Sequence, residues 1–400
     1  MKVAVVDKCL SHLWYSWYLS RALSRRLPPG SLEFYAPKRD PWKINPGTTN
    51  VKPTWSPLLF PLEIFREVVK SQIDVVHIQF ELNTFGPLLT SLLAPLLFLL
   101  LRLTRAKVVV TIHSAIPWHM VSSGIVGDIA PSGRARAFVV MLPRLVFAVM
   151  LAINRSIGAL SHAVIVHNRT IEGWLTADYG VDPDKIHIIP HGVDDTLPTM
   201  SGERVELWSS RIGPRDLLLF FGVLSPRKGI EDLLRAYAHL LPRHPDSLLV
   251  IAGLEPPYYG GYSKSLEALA TELGVSDHVL FTGFLSSEDV HALFSIASIV
   301  VLPYTYSIAS SGPLSYAIQH SKPVIATRTE ILDEELFNGR LASLAPVGDR
   351  AALAASIEEL LDNDGLRDKL SRELGSQVRV RSWKRVAEMT IELYREVSGR

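Results

Sequence analysis

The sequence predicts an α/β protein made of two Rossmann-like domains, each with a doubly wound parallel sheet. Its 400 residues are too many for one ordinary core and fit two domains. Apolar strand-like runs alternate with helical patterns throughout, which is typical of parallel sheets. Asp194 to Arg211 holds Pro198 and Gly202 without a sustained period, and is predicted to be the linker. We therefore expect domains at residues 1–200 and 212–382.

Ten apolar runs are predicted to be buried strands, five in each half of the chain. In the first half these runs are Val3 to Val6, Val75 to Ile78, Val108 to Ile112, Val164 to Val166 and Ile186 to Ile189. In the second half they are Leu217 to Phe221, Leu248 to Ala252, Val279 to Thr282, Ile299 to Leu302 and Val324 to Ala326.

The overall composition narrows the function classes. With 48% hydrophobic and 20% charged residues, the chain is globular rather than disordered. Its 41 basic and 40 acidic residues balance, which argues against a nucleic-acid partner. Cys9 is the single cysteine, so a disulfide framework or cysteine-rich metal site is excluded within the chain. This usage fits a reducing cytoplasm, and the charged residues right after Val6 do not fit a secretory signal.

Two apolar stretches allow contact with a membrane. Leu88 to Leu101 contains Pro95, and Ala137 to Ile153 is interrupted by Pro143 and Arg144. Both are shorter than the roughly 20 residues of a spanning helix, so buried core helices are the simpler interpretation. Basic residues near both stretches keep a peripheral membrane surface open. These residues are Arg102, Arg105, Lys107, Arg134, Arg136 and Arg144.

A cationic loop follows the run Leu217 to Phe221. It begins at Gly222 and carries Arg227 and Lys228 between Pro226 and Gly229. An amphipathic helix starts directly afterwards. Its apolar face is formed by Ile230, Leu233, Leu234, Tyr237, Leu240 and Leu241. Since ligands bind at strand-to-helix turns of open α/β sheets, Lys228 predicts a phosphate site.

A second candidate for phosphate binding is the turn Ser310 to Leu314. Pro313 suits the first turn of a helix, and Ser311 or Gly312 suits its cap. Backbone N–H groups and the helix dipole would then attract an anion, although an ordinary capped helix explains the same pattern. If both loops lie at the carboxyl edge of one sheet, they converge on a diphosphate.

Several segments together resemble glycosyltransferase family 4, whose members are retaining enzymes of the GT-B fold. The segments are Asp74 to Glu81, Thr111 to Ser114, Ala163 to Asn168, Ile189 to Asp194, Phe220 to Ile230 and Gly312 to Ala326. The resemblance implies an acceptor-binding N-terminal domain and a C-terminal domain that holds a nucleotide-sugar donor. Periodicity does not say which domain the last amphipathic helix, Trp383 to Tyr394, covers. The resemblance implies that this helix, with the residues to 400, crosses back onto the N-terminal domain.

The chain departs from the family pattern at the donor site. Two glutamates eight positions apart are usual there, and Ile308 and Tyr316 stand in their places. Tyr316 offers at most one phenolic partner to a ribose hydroxyl. Val223 and Ser225 stand where many members have an arginine, for which Arg227 is a candidate substitute. Lys8 to His12 replaces the usual N-terminal glycine-rich loop.

The resemblance also assigns candidate roles. Lys228 would neutralise the leaving diphosphate. His113 would contact the donor sugar or stabilise the reacting centre, unless it is a structural hydrogen-bonding group. His191 would contact the donor or serve the hinge. Glu81 would orient an acceptor hydroxyl, or is an exposed loop acid.

Other acidic residues have two interpretations. Glu330, Asp333 and Glu334 include a candidate for the ribose contact, or simply suit the start of a helix. Asp182 and Asp184 have the spacing of a metal-binding pair, but Pro183 between them is typical of a turn. We expect no metal and no cofactor, because no ligand cluster of known spacing is present.

The sequence thus predicts a metal-independent retaining transferase that moves a hexose from a nucleotide diphosphate sugar to a hydroxyl of a glycan, glycolipid or small molecule. Two alternatives stay open: a nucleotide-sugar epimerase or phosphorylase, and a non-catalytic nucleotide-sugar-binding protein, which Ile308 and Tyr316 would suit. A dinucleotide oxidoreductase is disfavoured because no Gly-x-Gly-x-x-Gly follows a strand. A cytoplasmic location, with peripheral contact to the inner face of a membrane, is expected.

Overall fold

The computed structural model describes residues 1–8, 15–39, 50–86, 88–122, 142–195, 202–256 and 259–399. The chain divides into two compact units. The first is Met1–Gly192 with Trp383–Arg400, and the second is Val193–Ser382. Cys9 to His12, Arg134 and Arg136, named above, lie outside the described residues.

The first unit is a seven-stranded parallel sheet with the strand order β3-β2-β1-β4-β5-β6-β7. The strands are β1 Val3–Val6, β2 Leu32–Pro37, β3 Asn50–Trp55, β4 Val75–Phe80, β5 Lys107–Ile112, β6 Ala163–Val166 and β7 Ile186–Ile188. The helices are Tyr15–Ser24, Phe60–Ser71, Ala94–Arg102, Pro143–Leu160, Arg169–Ala177 and Trp383–Ser398. Short 3₁₀ segments lie at Leu88–Leu93, Trp118–Met120 and Pro183–Lys185.

The second unit is a six-stranded parallel sheet with the order β10-β9-β8-β11-β12-β13. The strands are β8 Asp216–Phe221, β9 Ser247–Ala252, β10 Val279–Gly283, β11 Ile299–Leu302, β12 Val324–Thr327 and β13 Ser343–Ala345. The helices are Gly202–Ile212, Ile230–Leu240, Tyr262–Glu272, Ser287–Ile296, Gly312–Gln319, Glu330–Glu335, Arg350–Asp362, Asp364–Gly375 and Gln377–Val380. Segments of 3₁₀ helix lie at Pro226–Lys228 and Ser276–His278.

The predicted linker is wrong over most of its described length. Residues 202–212 form a helix of the second unit, and Trp208 and Ile212 are buried there. Val205, Trp208 and Ile212 recur at the spacing of one helical face, a signal that the surrounding polar residues obscure. The second unit therefore begins at Val193, and residues 196–201 of the predicted linker lie outside the described part of the chain.

All ten predicted strands are present, but β2, β3 and β13 were not predicted. The first two carry polar residues that mask the apolar pattern. Glu33 of β2 is buried because Lys2 and Lys52 both lie 2.9 Å from its carboxylate oxygens. Pro53 is tolerated in β3 because this strand lies at the edge of the sheet.

The two apolar stretches form helices of the first unit that pack against each other. The first is a 3₁₀ segment that continues as Ala94–Arg102. The second begins at Pro143, and residues 137–141 lie outside the described part. Helix Pro143–Leu160 is long and apolar enough to cross a membrane, although Phe147, Met150 and Ile157 are buried in the unit. Both helices keep an exposed apolar face.

The last helix, Trp383–Ser398, packs beside helix Tyr15–Ser24 in the first unit. Trp383, Val386 and Tyr394 are buried there. Gly192 lies directly under Trp383, and a Cβ atom at this glycine would fall 2.3 Å from the indole ring. The absence of a side chain at residue 192 thus allows the helix to begin against the end of the first unit.

Candidate functional site

The strand order of the second unit reverses between β8 and β11, which are neighbours in the sheet. Gly222 follows β8, and the turn Ser310 to Leu314 follows β11. The two loops touch, since a Cβ atom at Gly222 would lie 3.6 Å from the Pro313 ring. The expected convergence of the loops at one sheet edge is therefore present, at the position where open α/β sheets bind ligands.

The cationic loop is locked onto the chain that follows β11. Pro226–Lys228 forms one 3₁₀ turn, and Gly229 ends it with φ of 65°. A Cβ atom at Gly229 would lie 1.8 Å from the carbonyl oxygen of Pro303, so only glycine fits. The carbonyl of Arg227 accepts hydrogen bonds from N and Oγ1 of Thr305, at 2.9 and 3.2 Å.

Lys228 is buried within this loop, 6% exposed, and its ammonium nitrogen lies 3.4 Å from the centroid of the Tyr304 ring. Burial and the nearby positive charge of Arg227 hold the pKa of Lys228 well below its usual value. Burial likewise raises the pKa of Tyr304 to about 12. The cation–π contact partly replaces the solvation that the ammonium group loses, and an anion would replace it more completely.

Tyr304 connects the cationic loop to the helix Gly312–Gln319. Its hydroxyl lies 3.1 Å from Oγ of Ser311, and the same oxygen accepts a hydrogen bond from N of Leu314 at 3.3 Å. Ser311 therefore caps the helix, as one of the two predicted caps, with Gly312 and Pro313 in the first turn. The N-terminal end of this helix, with its partial positive charge, thus lies close to Lys228.

Ser225 is a further polar group in the loop. It is buried, and its hydroxyl has no hydrogen-bond partner among the described residues. A buried hydroxyl without a partner costs free energy, so a ligand oxygen would complete the site. The neighbouring Val223 is half exposed.

The positions of the missing glutamates are occupied by packing residues. The ring of Tyr316 packs against Phe221, Phe294 and His291 with centroid distances of 5.6, 5.4 and 5.4 Å. Ile308 is partly exposed. The structure thus puts an aromatic cluster where a carboxylate was expected.

The acids after β12 lie on helix Glu330–Glu335, which Thr329 caps. Asp333 forms an ion pair with Arg328 at 2.6 Å, and Glu334 is partly buried on the same helix. Glu335, which the sequence did not single out, is buried and acts on Tyr304 electrostatically. Of the acids on this helix, Glu335 is therefore the one whose charge reaches Tyr304.

In the first unit the strand order reverses between β1 and β4. Lys8 follows β1, and its Nζ lies 3.4 Å from Glu81 and 2.5 Å from Oδ1 of Asn83, both after β4. Asp7 accepts hydrogen bonds from N of Lys8 and from Ser16. Burial raises the pKa of Asp7 to about 7. Asp7 was not among the predicted site residues, although a carboxylate directly after the first strand is a usable signal.

A histidine cluster occupies the same carboxyl edge of the first sheet. His113, His167 and His191 follow β5, β6 and β7, and the ring of Tyr15 lies among them. The centroid distances from Tyr15 are 4.8, 5.0 and 5.3 Å, in the same order. Trp383 of the last helix closes the cluster, 4.9 Å from Tyr15.

A chain of hydrogen bonds runs through this cluster. Nδ1 of His167 lies 2.9 Å from the carbonyl oxygen of Ile189, and Nε2 of His167 lies 3.0 Å from Nδ1 of His113. Nε2 of His113 lies 2.9 Å from Oε1 of Gln79, whose Nε2 lies 3.0 Å from Nε2 of His77. His77 contacts Thr111 at 2.7 Å and, through Nδ1, the Tyr394 hydroxyl at 2.6 Å.

Burial lowers the pKa of the hydrogen-bonded histidines His77 and His167, to about 3 for His77 and about 4 for His167. The pKa of His113 is also well below its usual value, first because of burial and then because of its neighbours His167, His191, His77 and Lys8. Both ring nitrogens of His113 already have partners within the unit. A substrate group must therefore displace one of these contacts to reach a nitrogen of His113.

Other candidates have ordinary structural explanations. Asp182 to Lys185 is a turn in which Oδ1 of Asp182 accepts a hydrogen bond from N of Asp184 at 3.1 Å. His191 lies 3.0 Å from the carbonyl oxygen of Gly192 through Nδ1. His244, Glu358 and Asp362 lie close enough to hold a cation, but Arg243 already forms an ion pair with Glu358 at 2.7 Å.

Two parallel α/β units, one with a buried lysine beside a helix N-terminus at its switch point, define an anion-binding α/β protein. Comparison with known protein families identifies the family within this class. The family described as "Glycosyl transferases group 1" matches residues 206–376, and "Glycosyltransferase Family 4" matches residues 11–197. The chain belongs to glycosyltransferase family 4, a family of transferases, which confirms the family that the sequence predicts.

Curated relatives include two transferases. The chain is 30% identical over 232 residues to the MMP alpha-(1->4)-mannosyltransferase of Mycolicibacterium hassiacum, covering 56% of this chain and 52% of the relative. It is 30% identical over 246 residues to the D-inositol 3-phosphate glycosyltransferase of a Nocardioides species, covering 58% and 53%. The chain thus spans about half the length of the curated relatives it matches.

Solved structures confirm the predicted GT-B fold. Alr3699/HepE of Anabaena, solved in complex with UDP, has a TM-score of 0.75 at 15% identity and matches 99% of this chain and 100% of its own. WaaG, a glycosyltransferase involved in lipopolysaccharide biosynthesis, has a TM-score of 0.69 at 15% identity over 100% of both chains. At this identity the likeness concerns the fold.

Proposed function

We propose that this protein transfers a hexosyl group from a nucleotide diphosphate sugar to a hydroxyl acceptor and retains the anomeric configuration. The observation that carries the proposal is the buried Lys228 beside the Ser311-capped helix N-terminus. The two features are linked by Tyr304, and together they suit a diphosphate. Family membership supports transfer, and the HepE complexes with UDP and UDP-glucose support a nucleotide-sugar donor.

The leaving group is the centre of the proposed reaction. The bond between the anomeric carbon and the diphosphate oxygen breaks, and negative charge develops on the diphosphate. The charged form of Lys228 and the N–H groups of the helix Gly312–Gln319 stabilise that charge, with Arg227 at the edge of the loop. The acceptor hydroxyl attacks from the same face, and its proton passes to the departing diphosphate. This front-face path retains the configuration without an enzyme nucleophile.

The base and ribose of the donor have fewer charged partners than the family pattern implies. Tyr316 lies in an aromatic cluster, and Ile308 carries no charge. We propose that Gly222, Ser310, Ser311, Gly312 and Leu314 supply backbone contacts to the diphosphate. Glu334 remains the proposed ribose contact and His191 a proposed donor contact, while Ser225 adds a buried hydroxyl to the loop.

The acceptor is assigned to the first unit, with Glu81 orienting its hydroxyl and His113 contacting the transferred sugar. Glu81 lies at the switch point between β1 and β4, where it is paired with Lys8. Asp7 adds a carboxyl with a raised pKa at the same position. A hydroxyl-rich acceptor, such as a glycan or a glycolipid headgroup, matches these hydrogen-bonding groups.

We propose that neither a metal nor a cofactor takes part. Lys228 and the helix N-terminus supply the positive charge that a divalent ion would otherwise bring to the diphosphate. The test is turnover in the presence of EDTA, compared with turnover after addition of Mg²⁺ or Mn²⁺. Loss of activity in EDTA, restored by one of these ions, would contradict this part of the proposal.

We propose a cytoplasmic location with peripheral contact to the inner face of a membrane. Leu96, Leu99 and Leu103 are exposed at positions that fall on one side of their helix. Leu145 and Val149 are exposed on helix Pro143–Leu160, next to Arg144. Apolar side chains flanked by arginine suit an anionic lipid surface.

Co-sedimentation with vesicles containing anionic lipid tests the membrane contact. The wild-type protein should sediment with these vesicles at low salt, and less at high salt. The variant Leu96→Ser/Leu99→Ser should lose binding, while Leu58→Ser, also an exposed leucine of the first unit, should not. Failure of the wild-type protein to bind at low salt would contradict the contact.

The reaction itself is tested with a panel of nucleotide sugars, with and without acceptors. Release of the nucleoside diphosphate together with an NMR spectrum of the product anomer should show transfer with retention. Conversion of the donor sugar without an acceptor would instead identify an epimerase. Calorimetric binding of a nucleotide sugar without turnover, for every acceptor, would identify a non-catalytic homologue, which the aromatic surroundings of Tyr316 would suit.

A further inference from the structure

The direction of the hydrogen bonds through the histidine cluster is set at one end by the backbone. The carbonyl oxygen of Ile189 only accepts, and Nδ1 of His167 lies 2.9 Å from it. Nδ1 of His167 must therefore carry a proton. In a neutral imidazole Nε2 is then bare, so it accepts from Nδ1 of His113, 3.0 Å away. His113 in turn carries its proton on Nδ1 and has a bare Nε2.

The bare Nε2 of His113 requires a donor from Gln79. The two ends of a side-chain amide have the same shape, so a half-turn exchanges its oxygen and nitrogen within the same space. With NH₂ directed at His113, the Gln79 oxygen accepts from Nε2 of His77, which also lies 2.7 Å from Oγ1 of Thr111, and Nδ1 of His77 accepts from the Tyr394 hydroxyl. The single proton on Nε2 of His77 is then shared between the Gln79 and Thr111 oxygens, and every ring nitrogen of the three neutral histidines has a partner.

The opposite orientation of Gln79 needs one more proton. In that orientation both ends, the Ile189 carbonyl and the Gln79 oxygen, only accept hydrogen bonds. The contact at each end and the contact between His167 and His113 would each need a proton, so the four ring nitrogens would have to carry three protons. Two neutral imidazoles carry only two, so the pair would be positively charged. Burial opposes that charge, as it lowers the pKa of both histidines. The neutral, one-directional arrangement is therefore favoured.

We propose that His167 is a positioning residue that holds His113 as the neutral tautomer with its proton on Nδ1, so that His113 meets a substrate hydroxyl as a hydrogen-bond acceptor through Nε2. Free histidine favours the proton on Nε2, so the cluster selects the less common form. A substrate hydroxyl would replace the N–H group of Gln79 at that nitrogen. The tautomer follows from the contacts and the burial of the cluster, whereas its use with a substrate rests on the proposed function.

This tautomer limits the chemistry that His113 can perform. His113 can neither protonate a leaving group nor donate to a sugar oxygen from Nε2, because its single proton is directed at His167. It orients a substrate by accepting an O–H group. Tyr15 and Trp383 shield the cluster, which keeps the histidines away from water and the arrangement fixed.

Nitrogen-15 NMR of the whole protein with labelled histidine tests the proposal, with the His113→Gln variant used to assign the signal. Long-range proton–nitrogen spectra distinguish a nitrogen that carries a proton from a bare one. We expect His113 with a proton on Nδ1 at every pH between about 5.5 and 8, since its pKa is lowered. A proton on Nε2, or a doubly protonated ring at neutral pH, would overturn the proposal whether or not the protein is a transferase.

Two variants identify which end of the hydrogen-bonded series sets the direction of its hydrogen bonds. His167→Phe removes the acceptor for Nδ1, and His113 should switch to the form with its proton on Nε2. Tyr394→Phe removes only the hydroxyl at the far end, and His113 should stay unchanged. A switch in Tyr394→Phe, or none in a folded His167→Phe, would show that His167 does not position His113.

Discussion

The ammonium nitrogen of Lys228 lies 3.4 Å from the centre of the Tyr304 ring, and Tyr304 in turn lies 3.1 Å from Oγ of the helix cap Ser311. This relationship joins two loops that are about eighty residues apart in the sequence. In the absence of an anion, the aromatic ring offsets only part of the cost of burying the ammonium group, and the pKa of Lys228 stays well below its usual value.

Binding of a nucleoside diphosphate should be coupled to the uptake of a proton. Burial and Arg227 lower the pKa of Lys228 in the free protein, and a bound diphosphate would raise it again. At a pH between these two values, Lys228 gains a proton when the anion binds. Calorimetry in two buffers with different ionisation enthalpies measures this uptake. The Lys228→Met variant should bind more weakly and without the uptake, and equal uptake by both proteins would contradict the assignment.

Substitutions of Tyr304 should separate the contribution of its ring to donor use from the contribution of its hydroxyl. Tyr304→Phe keeps the ring over Lys228 and loses the contact with Ser311, worth about 1 kcal/mol or about fivefold in kcat/KM for the donor. Tyr304→Leu also loses the cation–π contact and should lower this value by a further factor of about 5 to 30. Steady-state kinetics with varied donor give both numbers. Equal effects of the two variants would show that the ring contributes nothing.

The Gly229→Ala variant should destabilise the second unit strongly. A Cβ atom would lie 1.8 Å from the Pro303 carbonyl oxygen, and φ is 65°. We expect a loss of about 3 kcal/mol or more in the free energy of unfolding, measured by urea titration. Gly274→Ala is the matched control, because φ is 70° there but nothing lies within 4 Å. It should lose only about 1 kcal/mol, and similar losses for both variants would rule out the clash as the cause.

The stability of the protein should depend on pH through Asp7. Burial raises the pKa of Asp7 from 3.8 to about 7, so between these values the folded state holds a proton that the unfolded state has released. The contribution of Asp7 to the free energy of unfolding therefore decreases as pH rises through this window and is constant above it. Asp7→Asn should remove this decrease. The stability of the variant relative to wild type should therefore be higher at pH 8 than at pH 4.5.

Urea titrations at several pH values measure the effect of Asp7. The exposed Asp246, changed to asparagine, serves as the control and should follow the wild-type pH profile. A stability difference between wild type and Asp7→Asn that stays the same from pH 4.5 to 8 would show that the pKa of Asp7 is not raised.

Much of the fold is predictable because parallel strands are buried on both faces. Runs such as Val3 to Val6 and Ile299 to Leu302 therefore carry an unbroken apolar signal. The edge strand β3 lacks this unbroken apolar signal because Lys52 and Pro53 interrupt its sequence. Glu33 interrupts the apolar run of β2 in the same way. Helix 202–212 was missed since only one side of it is buried among many polar residues.

The loops of the candidate site are less predictable in detail than in position. Lys228 and Ser311 could be found because a cationic turn and a helix cap have local sequence signals. Tyr304 and Glu335 have no such signal, since their part depends on interactions between segments that are distant in the sequence. The histidine chain is similar, because four separate strands and the last helix bring its members together.

The central claim is that Lys228 stabilises the leaving diphosphate during hexosyl transfer. The most direct measurement is the rate of nucleoside diphosphate release from a donor that the wild-type protein uses, with saturating acceptor. We expect Lys228→Ala to lower kcat at least about 100-fold, and the exposed Lys264→Ala of the same unit to leave it unchanged. Wild-type turnover by a folded Lys228→Ala protein would contradict the claim.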